Sequence, residues 1–164
     1  MSTYRPFVTP ASSLSLLLAF LFITFPSIGQ AQPDPAVGRW KLNLAKSNYA
    51  SGPAPTNLTV IVEAAGQGIK VTARTVASNG KVIETHYTAY VDGKDYPVTG
   101  SPDYDTVSLK RNGMIVDGTR KKDTKVVQTY QRVVSADRKT MTVATTGVNA
   151  LGQKLSSFAV FDRQ

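Results

Sequence analysis

The chain has 164 residues, with 19 Lys and Arg against 11 Asp and Glu, one His and no Cys. A composition of 41% hydrophobic and 18% charged residues is typical of a globular protein with room for about one domain. The lack of cysteine excludes disulfides, thiol nucleophiles and thiolate metal sites, and a single His excludes sites built from several histidines.

Residues 1–31 are predicted to be a secretory signal peptide. Arg5 is the only charge before an apolar run at 14–25, which is short for a membrane span of roughly 20 residues. Small residues follow and end at Ala31, where we expect cleavage. The prediction is a periplasmic or secreted domain at 32–164 with a formal charge of about +7 and no membrane span. The alternative is an uncleaved membrane anchor.

The rest of the chain has the pattern of short strands joined by turns. Runs rich in Val, Thr, Ile and Tyr are typical of strands, and Asn-Gly and Asp-Gly pairs supply the positive φ angles of hairpin turns. Only residues 45–49 could form a helical turn. We therefore predict an all-β fold, a single antiparallel up-and-down β-barrel of about 8–10 strands without substantial helix. The predicted strands are 37–44, 57–64, 69–77, 81–91, 96–99, 106–111, 114–120, 124–134, 140–146 and 154–161.

Alternation along these strands predicts which side chains point into the barrel. Leu58, Val60 and Val62 are predicted to face inward, and so are Trp40 and Leu44 on the first strand. Successive turns in an up-and-down barrel alternate between its two ends, so the longer loops should gather at one end and form a mouth. The loops assigned to the mouth are 45–56, 78–80, 100–105, 121–123 and 147–152, and Trp40 is assigned to the closed end.

The sequence Gly38-Arg39-Trp40 at the start of the first strand resembles the Gly-x-Trp signature of the calycins, the lipocalins and fatty-acid-binding proteins. More closely, three segments are similar to a group of exported bacterial lipocalin-like proteins with no assigned function. The resemblance covers nearly all of 32–164 and implies the barrel, with Gly38 and Trp40 as its structural signature, but no activity. The segments are GRWKLNLAKS (38–47), DGKDYPVTGSPDYDTVSLKR (92–111) and VVSADRKTMTV (133–143).

The chain departs from the fatty-acid-binding proteins at the position of their ligand clamp. Ala159 and Phe161 stand where that family has an Arg-x-Tyr pair that holds the ligand carboxylate. The connection between the first two strands is also too short for a two-helix lid. The lipocalin Thr-Asp-Tyr motif has only a partial match in residues 102–104.

Five polar side chains are candidates for contact with a ligand inside the barrel. An inward Arg requires a counter-ion, a structural partner or an anionic ligand. For Arg132 we expect cation–π stacking on Trp40, with ligand contact as the alternative and Arg163 as a competitor for the stacking position. The candidates are Tyr87, Arg120, Gln128, Tyr130 and Arg132.

Arg120 lies beside three lysines of the predicted mouth, Lys121, Lys122 and Lys125. This cluster is interpreted either as a solvated turn or as a rim that attracts anions, an attraction that salt would weaken.

No catalytic motif is present, and we expect no enzyme, metal site or cofactor. The chain lacks a Gly-x-Ser-x-Gly elbow, a His-Glu-x-x-His motif and a phosphate loop, and turn formation explains Asp103 and Asp105. His86 is predicted on the outer face as a surface residue, with haem ligation as a minor alternative. The scattered basic residues do not form a nucleic-acid-binding strip.

The leading hypothesis is an exported lipocalin-like barrel that binds a small apolar or amphipathic ligand in its lumen. The alternative is an interaction module with a packed lumen that binds anionic envelope polymer or a protein partner through a basic rim. A third hypothesis, an enzyme, requires Arg120, Tyr130 and Arg132 to converge on one open cavity.

Overall fold

The computed structural model describes residues 34–164, together with Met1 and Thr3. The predicted signal peptide at 1–31 lies outside the described residues, apart from those two. Residues 34–164 form eleven β-strands and one 3₁₀ turn, Leu44–Lys46. The strands are β1 (Gly38–Leu42), β2 (Asn48–Ser51), β3 (Asn57–Ala65), β4 (Gly68–Val76), β5 (Val82–Ala89), β6 (Asp92–Thr99), β7 (Thr106–Asn112), β8 (Ile115–Lys122), β9 (Lys125–Val134), β10 (Thr140–Val148) and β11 (Lys154–Arg163).

The strands close into a barrel because β1 pairs with β3 on one side and with β11 on the other. From β3 to β11 each strand pairs antiparallel with the next. The short β2 continues the line of β1 along the same edge of β11, so the barrel has ten strand positions. This confirms the predicted all-β, antiparallel, up-and-down barrel. Within residues 34–164, no helix has the length and apolar character needed to cross a membrane.

The predicted first strand, 37–44, is interrupted earlier than expected. Leu42 is its last strand residue, and Leu44 begins the 3₁₀ turn with 44% of its surface exposed, so the inward position predicted for Leu44 is wrong. Asn43 causes the break, because its side chain accepts from the Lys46 N–H and donates to Asp162 Oδ2 at 2.7 Å. These bonds turn the chain out of the strand.

Strand β6 starts at Asp92, four residues before the predicted strand at 96–99. A bulge at Gly93, whose φ is +79°, lets the chain pair with β7 from Asp92 onward. Pairing between β5 and β6 is limited to His86 with Thr99 and Tyr87 with Val98. It stops at Pro97, which has no N–H to donate.

The hairpin between β8 and β9 has a two-residue turn formed by Asp123 and Thr124. Both residues have positive φ, 47° and 67°, as the turn requires. Neither is glycine, and a β-branched residue such as Thr124 is disfavoured in this region. The Asp123 N–H donates to Asp105 Oδ2 at 3.0 Å, which ties the turn to the neighbouring mouth loop.

The two ends of the barrel differ as the strand directions predict. Residues 34–37 lie over one end, where Trp40 is fully buried and donates from Nε1 to the Ala36 carbonyl at 2.7 Å. The longer loops lie at the other end. The 100–105 loop and the 149–152 loop are joined there by a hydrogen bond from the Ala150 N–H to Asp103 Oδ1 at 2.9 Å.

Candidate ligand-binding cavity

A cavity of about 330 Å³ lies inside the barrel and extends to the mouth loops. Its volume falls at the lower end of the range typical of small-molecule sites. Most of the wall formed by β3, β4, β10 and β11 is apolar. The main side chains of the apolar lining are Leu58, Val60, Val71, Ile83, Val143 and Phe161.

The opposite wall carries the polar residues. The structure places all five candidate side chains, Tyr87, Arg120, Gln128, Tyr130 and Arg132, on the lining of this one cavity. Strand alternation identified them because residues two apart on a strand share a face. The cavity therefore has an apolar side and a polar side.

Arg120 lies between two aromatic rings. Its guanidinium carbon is 4.7 Å from the centre of the Tyr104 ring and 4.5 Å from that of Tyr130. Its Nη1 donates to Gln128 Oε1 at 2.9 Å, and Gln128 in turn donates from Nε2 to the Val148 carbonyl at 3.2 Å. Stacking and hydrogen bonding hold the guanidinium in one place, with donors left over.

Gly118 provides the space that Tyr130 occupies. The two residues are paired across β8 and β9, and a Cβ atom at 118 would overlap the Tyr130 ring. The ring therefore covers the glycine backbone and lies beside Arg120. Gly118 was not a sequence candidate, although a glycine opposite an aromatic residue on a paired strand is the signal that would have found it.

The Tyr87 phenol stays protonated in the cavity. Burial raises the pKa of Tyr87 well above its ordinary value, and the neighbouring Tyr130 adds to the increase. Among the described residues, Tyr96 is the one tyrosine whose hydroxyl bonds to a protein group, Asp92. No buried side-chain polar atom of the described residues lacks a partner, so the hydroxyl of Tyr87 is open to the cavity.

Arg132 does not stack on Trp40, and that expectation is wrong. Its Nη2 lies 3.0 Å from Asp34 Oδ2, and the same oxygen is 2.7 Å from Arg111 Nη2. The side chains of Arg132 and Asp34 are 7% and 9% exposed. Asp34 therefore neutralises the inward Arg132 at the closed end.

Arg163 takes the stacking position instead. Its guanidinium carbon lies 4.3 Å from the Trp40 ring centre, and it donates to the carbonyls of Val37, Pro35 and Arg138. A Cβ atom at Gly38 would overlap Arg163 Nη1. The glycine of the Gly-x-Trp signature is thus required by the arginine that covers the tryptophan.

Two of the three lysines grouped with Arg120 are paired with strand and mouth carboxylates. Lys121 Nζ lies 2.6 Å from Asp95, and Lys122 Nζ lies 3.8 Å from Asp105. Arg120 points into the lumen and away from them. These contacts separate the inward cation from the lysines with which the sequence grouped it.

The structure places His86 on the outer face, where it contacts Glu84 at 3.5 Å and Thr72 at 3.3 Å. The carboxylate of Asp103 is held by the Ala150 N–H, and Asp105 caps the 123–124 turn. Within residues 34–164, no group of three His, Cys, Asp or Glu side chains is arranged to hold a metal ion.

Besides Gly118, sequence reasoning missed Asp34 and Tyr104 as contributors to the site. Asp34 lies outside every predicted strand, so strand alternation could not place it. Tyr104 belongs to a mouth loop, and only the three-dimensional course of that loop brings its ring onto Arg120.

No protein-family model matches the chain, and no curated protein matches it. Among solved structures, the chain is similar to zebrafish ileal bile acid-binding protein complexed with cholic acid. The two share 10% sequence identity with a TM-score of 0.47, over 79% of this chain and 99% of that one.

Proposed function

We propose that the protein is an exported, lipocalin-like carrier that holds a small apolar or amphipathic ligand in its lumen. The observation that carries the proposal is the cavity itself, about 330 Å³ with an apolar wall and a polar wall under an end formed by loops. A small barrel is either filled by its own side chains or holds one small ligand, and this barrel leaves its lumen open. Export is supported by the signal-peptide pattern at 1–31.

A binding role fits the polar groups of the cavity better than a catalytic one. Arg120, Tyr130 and Arg132 line one cavity, as the enzyme hypothesis requires. A general base is harder to assign, because Asp34 is engaged by two arginines and Asp103 by a backbone N–H. Binding needs only the placed donors and the apolar wall.

The basic-rim alternative has less support from the contacts. Lys121 and Lys122 are neutralised by Asp95 and Asp105, and Arg120 faces the lumen. Of the predicted cluster, Lys125 keeps an exposed position at the start of β9. One exposed lysine is a weak site for an anionic polymer.

The first experiment is native mass spectrometry of protein exported by its own host, with organic extraction of the same sample. A discrete extra mass released by extraction would identify the cargo. An apo mass, combined with no displacement of an environment-sensitive apolar dye by candidate lipids, would contradict the proposal.

Two neighbouring substitutions on β10 provide the matched control. Val143→Phe places a ring in the lumen, whereas Ala144→Phe places the same ring on the outer face. We expect Val143→Phe to reduce ligand affinity at least tenfold and Ala144→Phe to leave it unchanged, provided both variants keep the wild-type circular dichroism spectrum. Equal effects of the two would place the ligand outside the lumen.

A further inference from the structure

Arg120 lines the cavity without a carboxylate partner among residues 34–164. No Asp or Glu oxygen of that part of the chain lies within 4.0 Å of its guanidinium. Arg132, the other inward arginine, has Asp34 at 3.0 Å. A cation removed from water requires a counter-charge or hydrogen bonds. Arg120 is half-buried, and its contacts with Gln128 and two rings leave the other N–H groups facing the cavity.

Several hydrogen-bond donors adjoin the cavity near Arg120. Its uncommitted N–H groups adjoin the cavity, and the hydroxyls of Tyr87, Tyr104 and Tyr130 have no partner among the described residues. The tyrosine rings that flank the guanidinium faces leave its edge free for a planar acceptor. This arrangement provides donors for one carboxylate, while Asp103, the carboxylate of the cavity lining, already accepts from the Ala150 N–H.

The position of Arg120 near the mouth determines how a bound amphipathic molecule is oriented in the lumen. Arg120 and Gln128 lie in the mouth-side halves of β8 and β9, because β8 ends and β9 begins at the mouth. The closed half of the cavity is bordered by apolar side chains such as Val62 and Phe161. An anionic head at Arg120 thus leaves the apolar body to fill the interior. Ala159 and Phe161, which stand where the fatty-acid-binding proteins have their Arg-x-Tyr clamp, would contact the opposite end of the apolar body.

We propose that Arg120, flanked by Tyr104 and Tyr130, binds the carboxylate of a compact amphipathic anion whose apolar part extends toward the closed end. The proposal rests on lumen binding, the proposed function above. The cavity of about 330 Å³ encloses only part of a long apolar chain, so a compact apolar part fits it best.

The experiment compares three ligands that share one chain, namely decanoate, 1-decanol and decylammonium, by calorimetry below their micellar concentrations. We expect decanoate to bind about 10- to 100-fold more tightly than decanol, because a charged hydrogen-bonded pair forms in a buried site. Decylammonium should bind most weakly because its charge has the same sign as that of Arg120.

Arg120→Gln is the variant and Lys125→Gln is the control, since both remove one positive charge at the mouth end. Arg120→Gln should reduce the decanoate preference to about onefold while decanol affinity stays within about twofold, and Lys125→Gln should keep the preference. Should Arg120→Gln fail to fold, Arg120→Lys retains the charge without the planar stack. The comparison of the three head groups on the wild-type protein tests the proposal even if neither variant folds.

The outcomes separate the inference from the function on which it rests. Decanol that binds as tightly as decanoate overturns the anion site and leaves the carrier function standing. Failure of all three ligands, together with no dye displacement, overturns both.

A series from hexanoate to hexadecanoate tests the size limit. Each enclosed methylene should increase affinity about fourfold, and the gain should stop once the lumen is filled, before hexadecanoate. Continued fourfold gains up to hexadecanoate would contradict the enclosed geometry.

Discussion

Replacing Asp34 by Asn should destabilise the barrel more than any other single ion-pair change among the described residues. The introduced amide would keep an oxygen for the Ala36 N–H, which Asp34 Oδ1 now accepts at 2.8 Å, but the charge that neutralises Arg132 would be lost. Arg132 would then be an uncompensated cation with a side chain 7% exposed. Arg111, 36% exposed, would turn to solvent at little cost.

Removing one partner of a buried ion pair costs about 3–5 kcal/mol. We expect the lower end, about 3 kcal/mol, because Arg132 borders the cavity, where water can reach it. For a domain of this size each kcal/mol lowers Tm by about 3–6 °C, so the loss of about 3 kcal/mol should lower Tm by about 9–18 °C. The assay is thermal and urea unfolding followed by circular dichroism.

Asp95→Asn is the control, because it breaks an ion pair of similar length in an exposed position. Asp95 lies 2.6 Å from Lys121 Nζ, and the Asp95 side chain is 47% exposed. Exposed pairs contribute less than about 1 kcal/mol, so this variant should lose only a few degrees. Adding Arg132→Met to Asp34→Asn removes the stranded cation and should recover at least half of the loss. Equal Tm shifts for the two single variants, or no recovery in the double variant, would refute the reasoning.

Three further predictions concern the fold. Thr124→Gly should raise the free energy of unfolding by about 1 kcal/mol, because it removes a β-branched residue from a backbone conformation with φ of 67°. A urea unfolding midpoint that did not increase would contradict this. Arg163→Leu should lower the free energy of unfolding by about 2–3 kcal/mol. It should also shift the fluorescence emission of Trp40, the only tryptophan of the sequence, to longer wavelength. Unchanged emission would argue against the stacked pair. Because burial raises the pKa of Tyr87, the unfolded chain releases this proton first, and stability should fall as pH rises above about 10, less steeply in Tyr87→Phe. Equal slopes for wild type and Tyr87→Phe would show that Tyr87 titrates normally.

The sequence was sufficient for the barrel because strand alternation and turn residues are local signals. The Asn-Gly pairs at 79–80 and 112–113 lie at hairpin turns, whereas Asp92-Gly93 lies inside β6 as a bulge. A chain of hairpins has few ways to bury one face. The same alternation identified Arg120 and Tyr130 as inward. Side chains alternate between the two faces of a strand, so every second residue points inward whatever the distant contacts are.

Partners across the barrel were beyond such reasoning. Asp34 reaches Arg132 over 98 residues of sequence, and Arg163 reaches the Val37 carbonyl over 126. Alternation gave Arg132 and Arg163 the same end of the barrel, but which of them covers Trp40 depends on where residues 34–37 cross that end. Residues 34–37 lie outside the strands, so strand alternation does not predict their path.

The two inward arginines give the cavity its polarity. Arg132 lies near the closed end and is neutralised by Asp34, so an anion gains little there. Arg120 lies near the mouth, where the adjacent lysines are paired with Asp95 and Asp105 and no carboxylate reaches its guanidinium among the described residues. The positive potential inside the lumen is therefore concentrated at one level of the barrel, with apolar side chains between it and the closed end. A cavity with this axial asymmetry favours one orientation of an amphipathic anion, and in that orientation the carboxylate remains at the mouth while the apolar part leaves water.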